Sequence, residues 1–212
     1  MEKYFVSGID TGIGKTVATG WLAHRFAESG KRVITQKLIQ TGCTGISEDI
    51  IEHRKIMGVG LFPEDEDFTT CKYVLKYPAS PHLACAMENI VPDFDAINAN
   101  TLRLAEKFNV VLVEGAGGLM VPLTEKFLTI DYIKKYGLPL MLVVSSRLGS
   151  LNHALLSLEC ARAAALKLAA IVYNTWPSAP REIEDSTRLY LKNYLASSYP
   201  DAEFLEMGRV EK

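Results

Sequence analysis

The sequence contains no uncharged apolar stretch approaching the ~20 residues a membrane-spanning helix needs. No signal-peptide pattern precedes the first strand-like residues, so a cytoplasmic protein with no membrane partner is expected. An excess of charge of one sign is also missing. Lys and Arg number 23 against 25 Asp and Glu, a net charge of −2, which leaves no broad basic field for nucleic acid or anionic lipid. Cysteine is sparse and scattered: Cys43, Cys71, Cys85 and Cys160 show no paired ligand spacing, which argues against a structural zinc site or a redox pair. Internal repeats, low-complexity segments and linkers are absent. The 212 residues, 48% of them hydrophobic, therefore read as one domain spanning 1–212 with a full core.

Apolar runs suited to strands occur at 3–7, 32–37, 109–113, 138–144 and 168–173. Helix-compatible segments alternate with them at 15–28, 93–107, 128–135, 150–166 and 181–195. Continuous apolar strands alternating with helices predict an α/β fold with a mainly parallel central sheet flanked by helices. Residues 58–80, rich in Gly, Pro and acidic side chains, read as an excursion over the surface.

The stretch VSGIDTGIGKT, residues 6–16, lies between the first strand and the first helix, where a phosphate-binding loop is found. Five residues, not four, separate Gly8 from Gly14, so a plain glycine turn is the competing reading. As a phosphate loop, its backbone N–H groups and the helix N-terminus would face phosphate, with Lys15 adding charge and Thr16 a hydroxyl for Mg²⁺. That context predicts a P-loop NTPase-like fold.

Polar residues just past the other strands are the next candidates, because parallel sheets bind ligands at their carboxyl ends. Lys37 ends the second strand and is either a solvated surface residue or a cation beside the loop that steadies transferred phosphoryl charge. Glu114 opens EGAGGLMVPL after the third strand and is either a Mg²⁺ ligand or an ordinary ion-pair partner. Asp49, in SEDIIEHRKI, stands where acidic residues suit a helix start, and its position does not separate it from Glu48. Asn152 and His153 follow Gly149 at a helix opening that can cap itself or receive an anion, and Asn174 ends a strand as a turn former or a base contact.

The segments GIDTGIGKT, KLIQTG, SPHLA, EGAGGLMVPL and LGSLNHALL, together with Asn174, resemble in order and spacing the dethiobiotin synthetase family. That family's loop, Gly-x-Asp-Thr-x-x-Gly-Lys-Thr, has the same extra residue. The resemblance implies that Gly8, Thr11, Gly12, Ile13, Gly14, Lys15, Thr16 and Val17 bind ATP, along with Asp49, Glu114, Gly115, Ala116, Gly117, Asn174 and Thr175. Thr16, Asp49 and Glu114 would surround Mg²⁺, and Lys37 and Lys15 would be catalytic. Thr41, Gly117 and Gly118 would bind substrate, joined by Gly149, Ser150, Leu151 and Asn152 from the second subunit of a homodimer. Asp49 and the two-subunit site rest on the resemblance alone.

The implied reaction joins CO₂ to the 7-amino group of 7,8-diaminopelargonate as a carbamate, which attacks the ATP γ-phosphate. The 8-amino group then closes the ring on the carbamic-phosphoric anhydride, giving dethiobiotin, ADP and phosphate. Two departures from the family are visible: Leu38 stands where a proline usually follows the active-site lysine, and MGRVEK, with Glu211 at the proline position, replaces a Gly-x-Ile-Pro segment against the adenine. The competing reading is a septum or partition-type ATPase switch acting through a protein partner. Such switches have a signature lysine where Asp10 stands here.

Overall fold

The computed structural model describes residues 1–210. The chain begins with β1 (Glu2–Gly8), α1 (Lys15–Glu28), β2 (Val33–Lys37) and β3 (Gln40–Thr41), followed by α2 (Glu48–Met57), α3 (Pro63–Glu66), β4 (Val74–Leu75) and α4 (Pro81–Met87). Next come α5 (Phe94–Lys107), β5 (Val110–Gly118), β6 (Pro122–Thr124), β7 (Phe127–Leu128) and α6 (Thr129–Tyr136). The chain closes with β8 (Leu140–Ser145), α7 (Ser150–Ala163), β9 (Leu168–Asn174), α8 (Arg181–Ser198) and β10 (Glu203–Met207).

Among the described residues, six strands form the main sheet in the order β10-β9-β8-β1-β5-β2, every pairing parallel. Val110–Val113 and Leu140–Val144 are buried throughout, as strands covered by helices on both faces must be. From β1 the chain first places β2 at one edge and inserts β5 between them, then reverses to lay down β8, β9 and β10 on the other side. The reversal opens a crevice at the carboxyl end of β1, where the glycine loop lies.

Several sequence expectations shift. β5 continues to Gly118 rather than ending at 113, because glycines let it pass under the loop: a Cβ on Gly118 would lie 3.2 Å from Gly8 O. α7 stops at Ala163, ahead of Ala165 at φ 57, and α8 runs on to Ser198. β10, an edge strand with exposed glutamates, lacks the apolar run that marked its neighbours.

The stretch 58–80 is not merely a surface excursion. Glu64, Asp65, Thr69, Thr70, Cys71 and Leu75 are buried, and the segment meets the end of β2 and pairs through β4 with β3. Lys37 N–H donates to Thr70 O at 2.7 Å, Gln40 N–H to Tyr73 O at 2.9 Å and Cys43 N–H to Leu75 O at 3.1 Å. It thereby satisfies an edge that solvent or another strand would otherwise meet.

Candidate active site

The loop after β1 wraps toward α1, whose N-cap Gly14 is in the left-handed region at φ 89 with no side-chain cap. The first-turn N–H groups of α1 are thus left for a ligand, and the positive end of the helix favours an anion. Only glycine fits at this cap, since an added Cβ would lie 2.5 Å from Asn174 Nδ2. The Lys15 ammonium rests 2.9 Å from Asp10 O, curled over the loop, and burial pulls its pKa down. Asp10 faces outward and pairs with Arg147 at 2.5 Å.

The register between β2 and β5 sets Lys37 directly against Glu114. Lys37 Nζ donates to Glu114 Oε1 at 2.8 Å and to Gly115 O at 3.1 Å, and also pairs with Asp49. Ser47 caps α2 and so fixes Asp49 in its first turn. Thr16 Oγ1, from α1, donates to Asp49 Oδ1 at 2.9 Å and lies 3.3 Å from Glu114 Oε1. Burial alone would push the Glu114 pKa up, but Lys37 and then His53 hold it well below the usual carboxylate range. Burial would lower the pKa of Lys37, yet Glu114 and Asp49 keep its ammonium charged far into alkaline pH.

A cleft of about 430 Å³ gathers Thr11, Gly12, Gly14, Lys15, Thr16, Val17, Lys37, Thr41, Asp49, Glu114, Ala116 and Gly117 on its walls. Most of the expected ATP-side residues therefore converge. Thr16, Asp49 and Glu114 present hard oxygens to one point, a donor set that fits Mg²⁺ completed by phosphate oxygens and water. Among the described residues no group of three or more His, Cys, Asp and Glu is suited to hold a metal.

Other expected residues lie apart from this cleft. Gly8 packs under the loop, where a Cβ would come within 2.8 Å of Ile13 Cδ1. Asn174 is buried, donating to Ile13 O at 3.0 Å and accepting the Trp176 N–H at 2.9 Å, so it ties β9 to the loop. Thr175 bonds to Met207 O, and the Arg209 guanidinium lies 5.0 Å from the Trp176 ring. Glu211, at the departure in the C-terminal segment, lies outside the described residues.

Gly149, at φ 88, and Ser150, bonded to Ser145 at 2.7 Å, open α7 and do not line this cleft, with Leu151 half-buried and Asn152 exposed. Gly118 borders a second groove of about 400 Å³, shared with Met120, His153, Leu156 and Cys160.

The sequence reading missed His53, Thr35, Arg54 and Asp65, all buried behind Glu114. Its one available signal was spacing: Asp49 and His53 stand four apart on α2, so a helix that turns one toward the loop turns the other the same way. Leu38 also acquires a purpose. Its N–H donates to Glu114 O at 2.9 Å, a bond that proline at this position could not make.

The AAA domain family matches residues 2–206. An ATP-dependent dethiobiotin synthetase BioD 2 of Haemophilus ducreyi is 51% identical over 97% of this chain and 97% of its own length. Its counterpart in Pasteurella multocida is 46% identical over 99% and 98%. The dethiobiotin synthetase BioD of Chlorobaculum tepidum is 54% identical over 86% of this chain and 77% of its own. Among solved structures, cell division protein FtsY of Thermotoga maritima superposes at a TM-score of 0.56, 17% identical, over 99% of this chain and 62% of its own. MinD in the MinC:MinD complex of Aquifex aeolicus gives 0.54 at 14% identity, over 96% and 79%. The last two share the P-loop fold and nothing finer. The chain belongs to the ATP-dependent dethiobiotin synthetase family.

Proposed function

We propose that this member of the dethiobiotin synthetase family carboxylates 7,8-diaminopelargonate with CO₂ and closes the ureido ring at the expense of ATP. The observation that carries the reading is the meeting of Lys37, Thr16, Asp49 and Glu114 in the cleft that opens onto the glycine loop. The loop N–H groups and Lys15 bind the ATP phosphates, with Lys15 leaving its resting place on Asp10 O to reach them. Thr16, Asp49 and Glu114 hold Mg²⁺, which supplies positive charge at the phosphate oxygens.

Lys37 sits where an anionic carbamate must approach an anionic γ-phosphate, and its ammonium offsets the charge that accumulates there. Thr41 and the Gly117–Gly118 backbone border the diamine. Asn174 keeps one amide hydrogen beyond its bond to Ile13 O, and that hydrogen serves the adenine edge.

The working unit is a cytoplasmic homodimer. Met120 and Leu156 are 56% and 60% exposed beside the groove that Gly118 and His153 share, an apolar face suited to a second copy. A second copy seated there brings Gly149–Asn152 and the N-terminus of α7 to the partner's substrate carboxylate.

The test incubates the protein with ATP, Mg²⁺ and bicarbonate, with and without the diamine, and measures phosphate and dethiobiotin together. Diamine-dependent, equimolar release of both supports the reading. Phosphate release that ignores the diamine and responds to a protein partner overturns it.

A further inference from the structure

We propose that His53 is a positioning residue that reserves one oxygen of Glu114 for the metal. The inference rests on the reading of the cleft given above, and concerns a residue that touches neither nucleotide nor diamine.

The two Glu114 oxygens have separate partners. Oε1 meets Lys37 at 2.8 Å and Thr16 at 3.3 Å, both residues of the cleft wall. Oε2 meets His53 Nε2 at 2.7 Å, and His53 is fully buried. A carboxylate can only accept, so Nε2 carries the proton of this bond. His53 Nδ1 lies 2.9 Å from Thr35 Oγ1, which also receives Arg54 Nη1 at 2.8 Å. Arg54 can only donate, which leaves the Thr35 hydroxyl proton available to Nδ1, the pairing that matches a proton on the Nε2 facing Glu114. Arg54 is in turn held at both ends by Asp65, Nε to Oδ2 at 2.8 Å and Nη2 to Oδ1 at 2.8 Å. A buried chain thus runs from the segment 58–80 to the carboxylate, and each link sets the direction of the next.

Freed from His53, the Glu114 carboxylate could rotate and give both oxygens to Lys37 and Thr16. The ion pair would then close over the point where Asp49, Thr16 and Oε1 converge, and a cation would have to compete with it. Partners that orient a metal-binding carboxylate are commonly worth about 10- to 100-fold in affinity or activity.

Two substitutions of similar polarity but different reach separate orientation from space filling. The Gln amide in His53→Gln can extend to the Nε2 position, whereas the shorter amide in His53→Asn stops near Nδ1. Mn²⁺ affinity would be read by electron paramagnetic resonance with an excess of the non-hydrolysable β,γ-imido analogue of ATP, and Mg²⁺ dependence by turnover. We expect His53→Asn to weaken Mn²⁺ binding and raise the Mg²⁺ needed for half-maximal turnover by about tenfold or more, with the KM for the diamine unchanged. His53→Gln should stay within about threefold of the wild type in both.

Equal Mn²⁺ affinity in the two variants, whether strong or weak, overturns the inference. A wild-type protein that binds no Mn²⁺ with the analogue overturns the reading of the cleft itself. Should His53→Asn fail to fold, Thr35→Ser and Thr35→Val make the same comparison one link out. Serine keeps the hydroxyl and the metal affinity, valine loses both, and equal affinities refute the relay.

Discussion

Replacing Lys37 by Gln removes an ammonium that lies between two carboxylates. In the wild type, its Nζ is buried against Glu114 Oε1 at 2.8 Å, Gly115 O at 3.1 Å and Asp49. Glu114 has no exposure, so the substitution strands a buried carboxylate with only His53 and the longer Thr16 contact as donors. Breaking a buried ion pair in this way costs about 3–5 kcal/mol. The lower end applies here, because Asp49 is partly solvated, with 22% of its side chain exposed, and the Gln amide can still donate to Gly115 O.

The catalytic effect is separate. An electrostatic contact aimed at developing charge is worth about 3 kcal/mol, which at 1.36 kcal/mol per decade is roughly 100-fold or somewhat more in kcat. Urea unfolding at neutral pH, calorimetric ATP binding and diamine-dependent turnover should therefore show about 3 kcal/mol less stability, ATP affinity within a few-fold, and kcat down by two decades. The pair Lys37→Gln with Glu114→Gln isolates the cause: removing the stranded charge should recover more than half of the lost stability and none of the turnover. A double variant less stable than Lys37→Gln alone would refute the electrostatic account, and near-normal kcat in the single variant would remove Lys37 from the chemistry.

The pH dependence of stability has a defined sign. Glu114, held well below its usual 4.5, contributes stability that is complete above that value and lost as pH falls, while Lys37, held above its usual 10.5, contributes stability present below that value and lost only at more alkaline pH. Urea titrations of the metal-free protein from about pH 3 to pH 9 should show Lys37→Gln losing stability at a higher pH on the acid side than the wild type, and superimposable acid limbs would contradict the assignment. If the proposed site is shared across a homodimer, mixing and re-associating Lys37→Gln with Asn152→Ala should give activity well above the sum of the parts, because the heterodimer would hold one intact site. Verified re-association without recovery would confine each site to one chain.

The phosphate loop was legible because three local signals agree within residues 3–28: an apolar strand, a glycine run ending in Gly-Lys-Thr, and an amphipathic helix. Strand identity elsewhere followed from continuous apolar runs. β10 escaped because an edge strand has one neighbour and tolerates Glu203 and Glu206, so EFLEM lacks the composition of a doubly covered strand. The stretch 58–80 was misread for a related reason. Composition counts Asp65 and Glu64 as solvated charges, whereas the structure buries Asp65 against Arg54, a pairing no local pattern announces.

Lys37 and Glu114 were each recognisable as candidates at strand ends, but their contact depends on β2 and β5 being neighbours in a given register, and 72 residues lie between those strands in sequence. A one-residue slip would turn one of the two away from the other and dissolve the ion pair. The register has its own supports close to the site. Lys37 N–H is taken by Thr70 O on the open side of β2, and Leu38 N–H by Glu114 O on the other. The main chain of Glu114 is therefore clamped through its carbonyl while His53 clamps its Oε2. Of everything Glu114 can offer, Oε1 alone is left facing the cleft, and one fixed oxygen at a strand end is what the proposed cation site with Thr16 and Asp49 would require. Leu38 and His53 thus hold the same residue from two directions, one through its main-chain carbonyl and the other through Oε2.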